Sequence, residues 1–323
     1  MARILSLTDN KNSALQKAIE LLQRGKPIAM PTETVYGLAA DATNPEAITS
    51  IYETKGRPQF NPLICHMSDL IMAKRYAEFD ALSLKLAKTF WPGALTIILT
   101  LKADSGIHKL ATAGLDTVGI RVPKGSASKL IAKFGKPLAA PSANSSGKIS
   151  PTTAQHVQDD LGQKIELILD QGACELGVES TIIKVMGDDV YLLRPGGISA
   201  TDIENVVGKP LMRLDENVDI EAPGMLQSHY APNAKMRLNV NAVSPEDVLI
   251  TFGDVKIIDA DVARAQFNLS TSGNLKEAAH NLFDMMIMAD KVEADMIAVA
   301  PIPNDGLGEA INDRLKRAAA PRD

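Results

Sequence analysis

The chain has 323 residues, long enough for a substantial core and for two domains. At 45% hydrophobic and 23% charged residues it is not a disordered sequence. A formal charge of -5 and 4% aromatics argue against a general polyanion binder and against a base-stacking platform, leaving room for one local basic pocket.

The opening segment, MARILSLTDNKNSALQKAIELL, has no basic stretch followed by an unbroken apolar run, so it does not read as a secretory signal. No apolar run reaches the roughly 18 residues of a membrane span, and the expected location is cytoplasmic with no membrane partner. Cys65 and Cys174 are too few for a disulfide framework or a structural zinc site and read as buried reduced thiols.

Residues 4–7 predict a short strand. Leu15, Ala18, Ile19 and Leu22 recur at helical spacing up to a stop at Gly25. PIAMPTETVYGLAAD predicts a strand opening into a hydroxyl-bearing loop. Asn44 then caps a helix with Pro45 in its first turn and Ala47, Ile48 and Ile51 on one face. That helix ends at Lys55-Gly56-Arg57-Pro58, where Gly56 permits close backbone approach and Pro58 turns Arg57 away from helical dihedrals.

PLICHM predicts a strand carrying His66 near its end, and a helix follows over about 79–90. ALTIILTL and TVGIRVP predict further strands; in the second, Arg121 faces away from Val118, Ile120 and Val122. A helix over 126–134 leads into LAAPSANSSG, a short strand followed by a loop of small polar groups. Strands are predicted over 166–170, 180–186 and 190–193, giving an α/β domain with a mixed sheet. Residues 208–233 lack a sustained period and read as a connector. Beyond them, strands at 248–252, 255–258 and 296–300 alternate with helices at 275–289 and 309–320, a small second α/β domain. The expected division is 1–207, 208–233 and 234–323.

No metalloprotease, EF-hand, Walker-type, dinucleotide or nucleophile-elbow string is present. What remains is a set of polar residues at strand-to-loop boundaries: Thr32 and Thr34; Lys55, Arg57 and Asn61; Arg121; Ser142, Asn144, Ser145, Ser146 and Ser150; and Arg194. Each admits an ordinary role as surface charge, ion-pair partner or turn cap. Together they offer point charges, planar forks and short hydroxyl donors from several directions, as a nucleoside triphosphate needs. Glu33 and Glu179 suit a general base, a metal ligand or a salt bridge equally. His229-Tyr230 either anchors the connector or closes it over a ligand.

The strings PTETVYGLAADA, KGRPQFNPLICH, FWPGALTIIL, TVGIRVP, PLAAPSANSSGKISPT, GVESTII, LLRPGGI and APGMLQSHYAP resemble those of the threonylcarbamoyl-adenylate synthase (YrdC-like) family in its long two-domain form. The resemblance implies a YrdC-like curved mixed sheet around a cavity, then a linker closing over it and a small Rossmann-like α/β domain. It implies a nucleotidyltransferase that makes threonylcarbamoyl-AMP and pyrophosphate from L-threonine, bicarbonate or carbon dioxide, and ATP with Mg2+. The product goes to the tRNA threonylcarbamoyl-transferase machinery, for adenosine 37 of tRNA.

Carried over residue by residue, the resemblance makes Lys55 and Arg57 catalytic. ATP would lie against them and Asn61, Thr117, Ser142, Asn144, Ser150, Arg194 and Tyr230, with Lys55 beside the phosphates. Threonine would lie against Thr34, His66, Arg121, Ala140 and Ser180, and no metal ligand is assigned. Two other readings stand beside it: a different carbamoyl- or acyl-adenylate former, and a double-stranded RNA binder with a concave basic face.

Overall fold

Short apolar runs in the first two hundred residues pair into one sheet. The computed structural model describes residues 1–9, 11–213 and 228–321. In it the runs form β1 (Arg3–Ser6), β2 (Ile28–Met30), β3 (Gly37–Asp41), β4 (Ile64–His66), β5 (Leu95–Thr100), β6 (Thr117–Arg121), β7 (Leu138–Ala139), β8 (Leu167–Asp170), β9 (Thr181–Met186), β10 (Asp189–Arg194) and β11 (Met212–Arg213). Their spatial order is β1-β8-β2-β3-β7-β4-β6-β5-β9-β10-β11. Parallel and antiparallel pairs are mixed, as expected: β4 runs parallel to β6, and β5 to β9, while β7 runs antiparallel to both of its neighbours, β3 and β4.

The helices between them are α1 (Lys11–Gln23), α2 (Pro45–Lys55), α3 (Leu70–Tyr76), α4 (Ala81–Phe90), α5 (Ser126–Phe134), α6 (Ala154–Leu161) and α7 (Ala200–Val207). The Asn44 side chain accepts from the N–H groups of Glu46 and Ala47 to start α2, and Gly56 ends it in the left-handed region at φ 61°. α3, α6 and α7 were not legible, being only seven or eight residues long, too short for a helical period to repeat clearly.

The second sheet is all parallel. It holds β12 (Lys235–Leu238), β13 (Asp247–Thr251), β14 (Ala265–Asn268) and β15 (Met296–Val299) in the order β12-β15-β13-β14, with α8 (Leu275–Asp290) and α9 (Gly308–Ala318) beside it. The strand expected at 255–258 is absent. Left-handed residues at both ends, Gly253 at φ 63° and Asp259 at φ 59°, stop that run from extending, and Ile258 makes a single bridge to Ala242. β14 takes the place instead. Within the expected connector, residues 214–227 lie outside the described residues. No helix among the described residues is long and apolar enough to cross a membrane.

The two sheets do not keep separate cores. Val35, Ile149 and Val178 bury with Leu282, Phe283 and Met286 of α8 in one cluster. At the same seam Gly177 has φ +72°, and a Cβ there would fall 2.3 Å from the His280 carbonyl and 2.5 Å from that of Ala279. Gly177→Ala should therefore lift the 175–178 loop off α8 and destabilise the protein by about 2 kcal/mol or more. Thermal unfolding checks this, with Gly306→Ala as the control, because that position is equally left-handed but open to solvent. Equal midpoints for the two variants would show that the seam yields.

Candidate active site

The β2–β3 loop turns on a threonine. The Thr32 hydroxyl donates to the Val35 carbonyl at 2.7 Å and lies 2.8 Å from the Thr34 hydroxyl. Both side chains are buried, and they face a cavity that encloses about 570 Å3 including its open mouth.

Strand register brings the next pair together. β4 and β6 align His66 beside Arg121, both at strand ends on the cavity wall. Arg121 donates to the Thr34 hydroxyl at 2.9 Å and to the Gly93 carbonyl at 3.2 Å, and its Nη2 lies 2.9 Å from a Glu33 carboxylate oxygen. Glu33 is thus the salt-bridge partner among its three expected roles. Burial, and then the Arg121 charge, hold the His66 imidazole down at about 3, so it is neutral near pH 7 and orients ligands rather than carrying charge. Ala140 and Ser180 complete this end, with the Ser180 hydroxyl 2.8 Å from that of Thr96.

Arg57 and Arg194 line the same cavity with Ser142 and Tyr230. Arg57 donates to the Asn61 and Pro62 carbonyls at 3.2 and 3.0 Å, and burial lowers it to about 10, which leaves it charged. Asn61 is buried with an Oδ1 that has no hydrogen-bond partner, an acceptor left beside Arg57. Arg194 donates to the Ser180 carbonyl at 2.9 Å.

Lys55 differs from the expectation. It does not line the cavity. Its Nζ donates to the Ser142 carbonyl at 2.6 Å, to the Asn144 carbonyl, and to Asn144 Oδ1 at 3.4 Å. Burial and the Arg57 charge pull the ammonium well below its ordinary range, and these oxygens seat it. Lys55 and Asn144 therefore hold the 142–148 loop in place, and the Asn144 amide also donates to the Lys148 carbonyl at 2.8 Å.

Ser150 likewise stands behind the wall, donating at 2.6 Å to Glu179, which does line the cavity. Thr117 is the clear departure. It begins β6, four residues before Arg121 and so about 13 Å away along the strand, and it borders a separate hollow with Glu78, Asp80 and Lys184.

Tyr230 reaches the cavity with a left-handed backbone at φ 62° and is buried. Its ring stacks on Phe283 of α8 at 5.4 Å, and His229 packs against it at 4.1 Å. Sequence reading missed Arg314 of α9, which is fully buried and lies with its guanidinium carbon 5.2 Å from the Tyr230 ring centre. Its signal was present: Arg314 sits in the apolar stripe Ala310, Ile311, Leu315, Ala318. Among the described residues no group of three or more His, Cys, Asp or Glu comes together as a metal site. Both cysteines are buried free thiols, as expected.

The cavity therefore brings together the guanidinium groups of Arg57, Arg121 and Arg194 and the hydroxyls of Thr34, Ser142 and Ser180, with neither an activated nucleophile nor a charged imidazole among the described lining residues. Such a site binds and aligns anions.

Known proteins match this arrangement over nearly the whole chain. A family model for the Sua5, YciO and YrdC proteins, described as "Telomere recombination", matches residues 20–196. A second, described as "Threonylcarbamoyl-AMP synthase, C-terminal domain", matches 198–320. The threonylcarbamoyl-AMP synthase of Bacillus subtilis is 40% identical, covering 95% of this chain and 93% of its own. That of Pyrococcus abyssi is 38% identical, covering 94% of each. The crystal structure of P. abyssi Sua5 complexed with L-threonine superposes with a TM-score of 0.88 at 35% identity, covering 99% of this chain and 97% of that one.

Proposed function

The chain belongs to the Sua5/YciO/YrdC family in its long form with the threonylcarbamoyl-AMP synthase C-terminal domain, and from that premise we propose how its cavity makes threonylcarbamoyl-AMP. It is an enzyme of the nucleotidyltransferase type. The observation that carries the site reading is the single cavity lined together by Arg57, Arg194, Thr34, His66 and Arg121.

L-Threonine binds with its carboxylate on Arg121, held by Thr34, His66, Ala140 and Ser180. ATP binds with its phosphates toward Arg57 and Arg194 and its remaining contacts on Ser142, Asn61 and Tyr230. Lys55, Asn144 and Ser150 hold those contacts in place from behind. Thr117 has no role in this arrangement.

Bicarbonate gives up hydroxide to form carbon dioxide, the threonine amine adds to its carbon, and the amine proton leaves with that hydroxide as water, giving a carbamate. One carbamate oxygen attacks the α-phosphorus in line, the bond to the bridging oxygen breaks, and pyrophosphate leaves. Proximity and fixed positive charge lower the barrier, with Arg57 and Arg194 meeting the charge that develops on pyrophosphate. Mg2+ enters as part of MgATP. The cavity-lining carboxylate Glu179 is engaged by Ser150 and Arg314, and no protein ligand for the ion is assigned.

In this reading residues 1–207 carry the chemistry, and His229 and Tyr230 cover the cavity, keeping water from the carbamate and the mixed anhydride. The product passes to a tRNA threonylcarbamoyl transferase in the cytoplasm. Mass spectrometry of a reaction with L-threonine, labelled bicarbonate and MgATP should show labelled threonylcarbamoyl-AMP, with pyrophosphate release dependent on all three. Pyrophosphate release indifferent to threonine would contradict the assignment.

A further inference from the structure

We propose that Arg314, supplied by α9 of the second sheet's layer, is a positioning residue for the nucleotide end of the cavity. It holds Glu179 and Tyr230 in the arrangement that ATP requires. The inference rests on the ATP reading above and extends it to a residue outside the catalytic sheet.

Glu179 poses an electrostatic difficulty. It lines the same cavity as Arg57 and Arg194, and a bare carboxylate there would repel phosphate oxygens and draw the arginines to itself. Arg314 meets that charge from behind, donating from Nε to Glu179 Oε2 at 2.8 Å while Ser150 donates to the other oxygen at 2.6 Å. Each carboxylate oxygen thereby accepts a hydrogen bond from the protein. Burial by itself would raise the Glu179 carboxyl, but the charges of Arg314 and Arg194 and the Ser150 hydroxyl outweigh it and hold the group at about 2.

The remaining donors of Arg314 tie two further pieces to the same point. One goes to the Pro195 carbonyl at 2.9 Å, directly after Arg194, and another to Asp313 at 2.5 Å. The guanidinium face covers the Tyr230 ring, whose opposite support is Phe283. One fully buried side chain thus touches the Glu179 carboxylate, the backbone beside Arg194 and the closing tyrosine. Its fork geometry makes these contacts together, which a lysine cannot do.

The full-length protein is assayed for ATP and threonine dependence as wild type, Arg314→Lys, Arg314→Met, and Arg314→Met with Glu179→Gln. Arg314→Met should raise the KM for ATP about tenfold or more while that for threonine changes less than about twofold. Adding Glu179→Gln should recover at least about threefold of the ATP loss, because it removes the stranded charge.

The single variant should also bind ATP more tightly as pH falls from about 8 to 6, where the wild type is flat. Glu179 would then share the cavity with Arg57, Arg194, His229 and Tyr230, with Ser150 bonded to it and Asp313 close by, and its protonation would relieve the repulsion. Equal rises in both KM values, or no recovery from Glu179→Gln, would overturn the proposal. Arg314→Lys keeps charge and bulk as insurance against misfolding, and an unchanged KM for ATP in that variant would also overturn it. Wild-type protein that binds no ATP would refute the nucleotide reading itself, whereas wild-type binding with indifferent variants would refute only the role of Arg314.

Discussion

Arg57→Ala should lower threonylcarbamoyl-AMP formation by about a hundredfold or more while leaving threonine binding within about twofold. Arg57 is buried on the cavity wall, still charged, and oriented by two carbonyls through Nε and Nη2. Preorganised charge of this kind acts in a site shielded from water and is worth about 2.7–4 kcal/mol in the transition state. Lysine should not substitute, because a point charge cannot both hold the Asn61 and Pro62 carbonyls and present a fork to phosphate. Truncation strands those two carbonyls, so threonine titration by calorimetry separates a local loss from a general one. Full turnover in Arg57→Ala with intact threonine binding would remove Arg57 from the chemistry.

Lys55→Met should lose both activity and stability, the latter by about 3 kcal/mol. A residue that merely touched phosphate would lose activity alone, so the two measurements decide between the geometry and the simpler expectation. The Lys55 ammonium is enclosed by the Ser142 and Asn144 carbonyls and Asn144 Oδ1, and the Lys55 carbonyl accepts from the Ser146 N–H at 2.8 Å. Methionine matches the stem but leaves two buried carbonyls without a donor. The 142–148 loop would then detach from the end of α2 and carry Ser142 out of the cavity. Denaturant unfolding beside an ATP assay tests this. A variant as stable as wild type would return Lys55 to the list of ligand contacts.

These two basic residues show what a sequence can and cannot reveal. Lys55 and Arg57 read as one motif, and both proved to be buried, but their side chains serve different ends. The distinction was already written in α2, where Ala47, Ile48, Ile51, Tyr52 and Lys55 form one buried stripe. Arg314 occupies the corresponding kind of position in α9. A cation inside an apolar stripe points to a buried acceptor, although nothing in the sequence says which acceptor.

The helices α1, α2, α4, α5, α8 and α9 were legible because their apolar spacing is a local signal, whether a side chain caps them, as in α2, α4 and α8, or not, as in α5 and α9. β5 and β6 were legible for the same reason. The order of strands was not, since it depends on pairings such as Ala29 with Ile168 that are far apart in the chain. Four-residue strands with only two apolar positions, such as β14, fall below what alternation can distinguish. Thr117 was misplaced on similar grounds: sharing a strand with Arg121 says nothing about which end of that strand faces the ligand.

The cluster that joins Val35, Ile149 and Val178 to α8 sets a limit on how this molecule can be dissected. Cutting the gene after residue 207 would leave an oily scar on the catalytic piece where its neighbour had lain. Such a fragment would tend to clump unless those three side chains were first exchanged for hydrophilic ones.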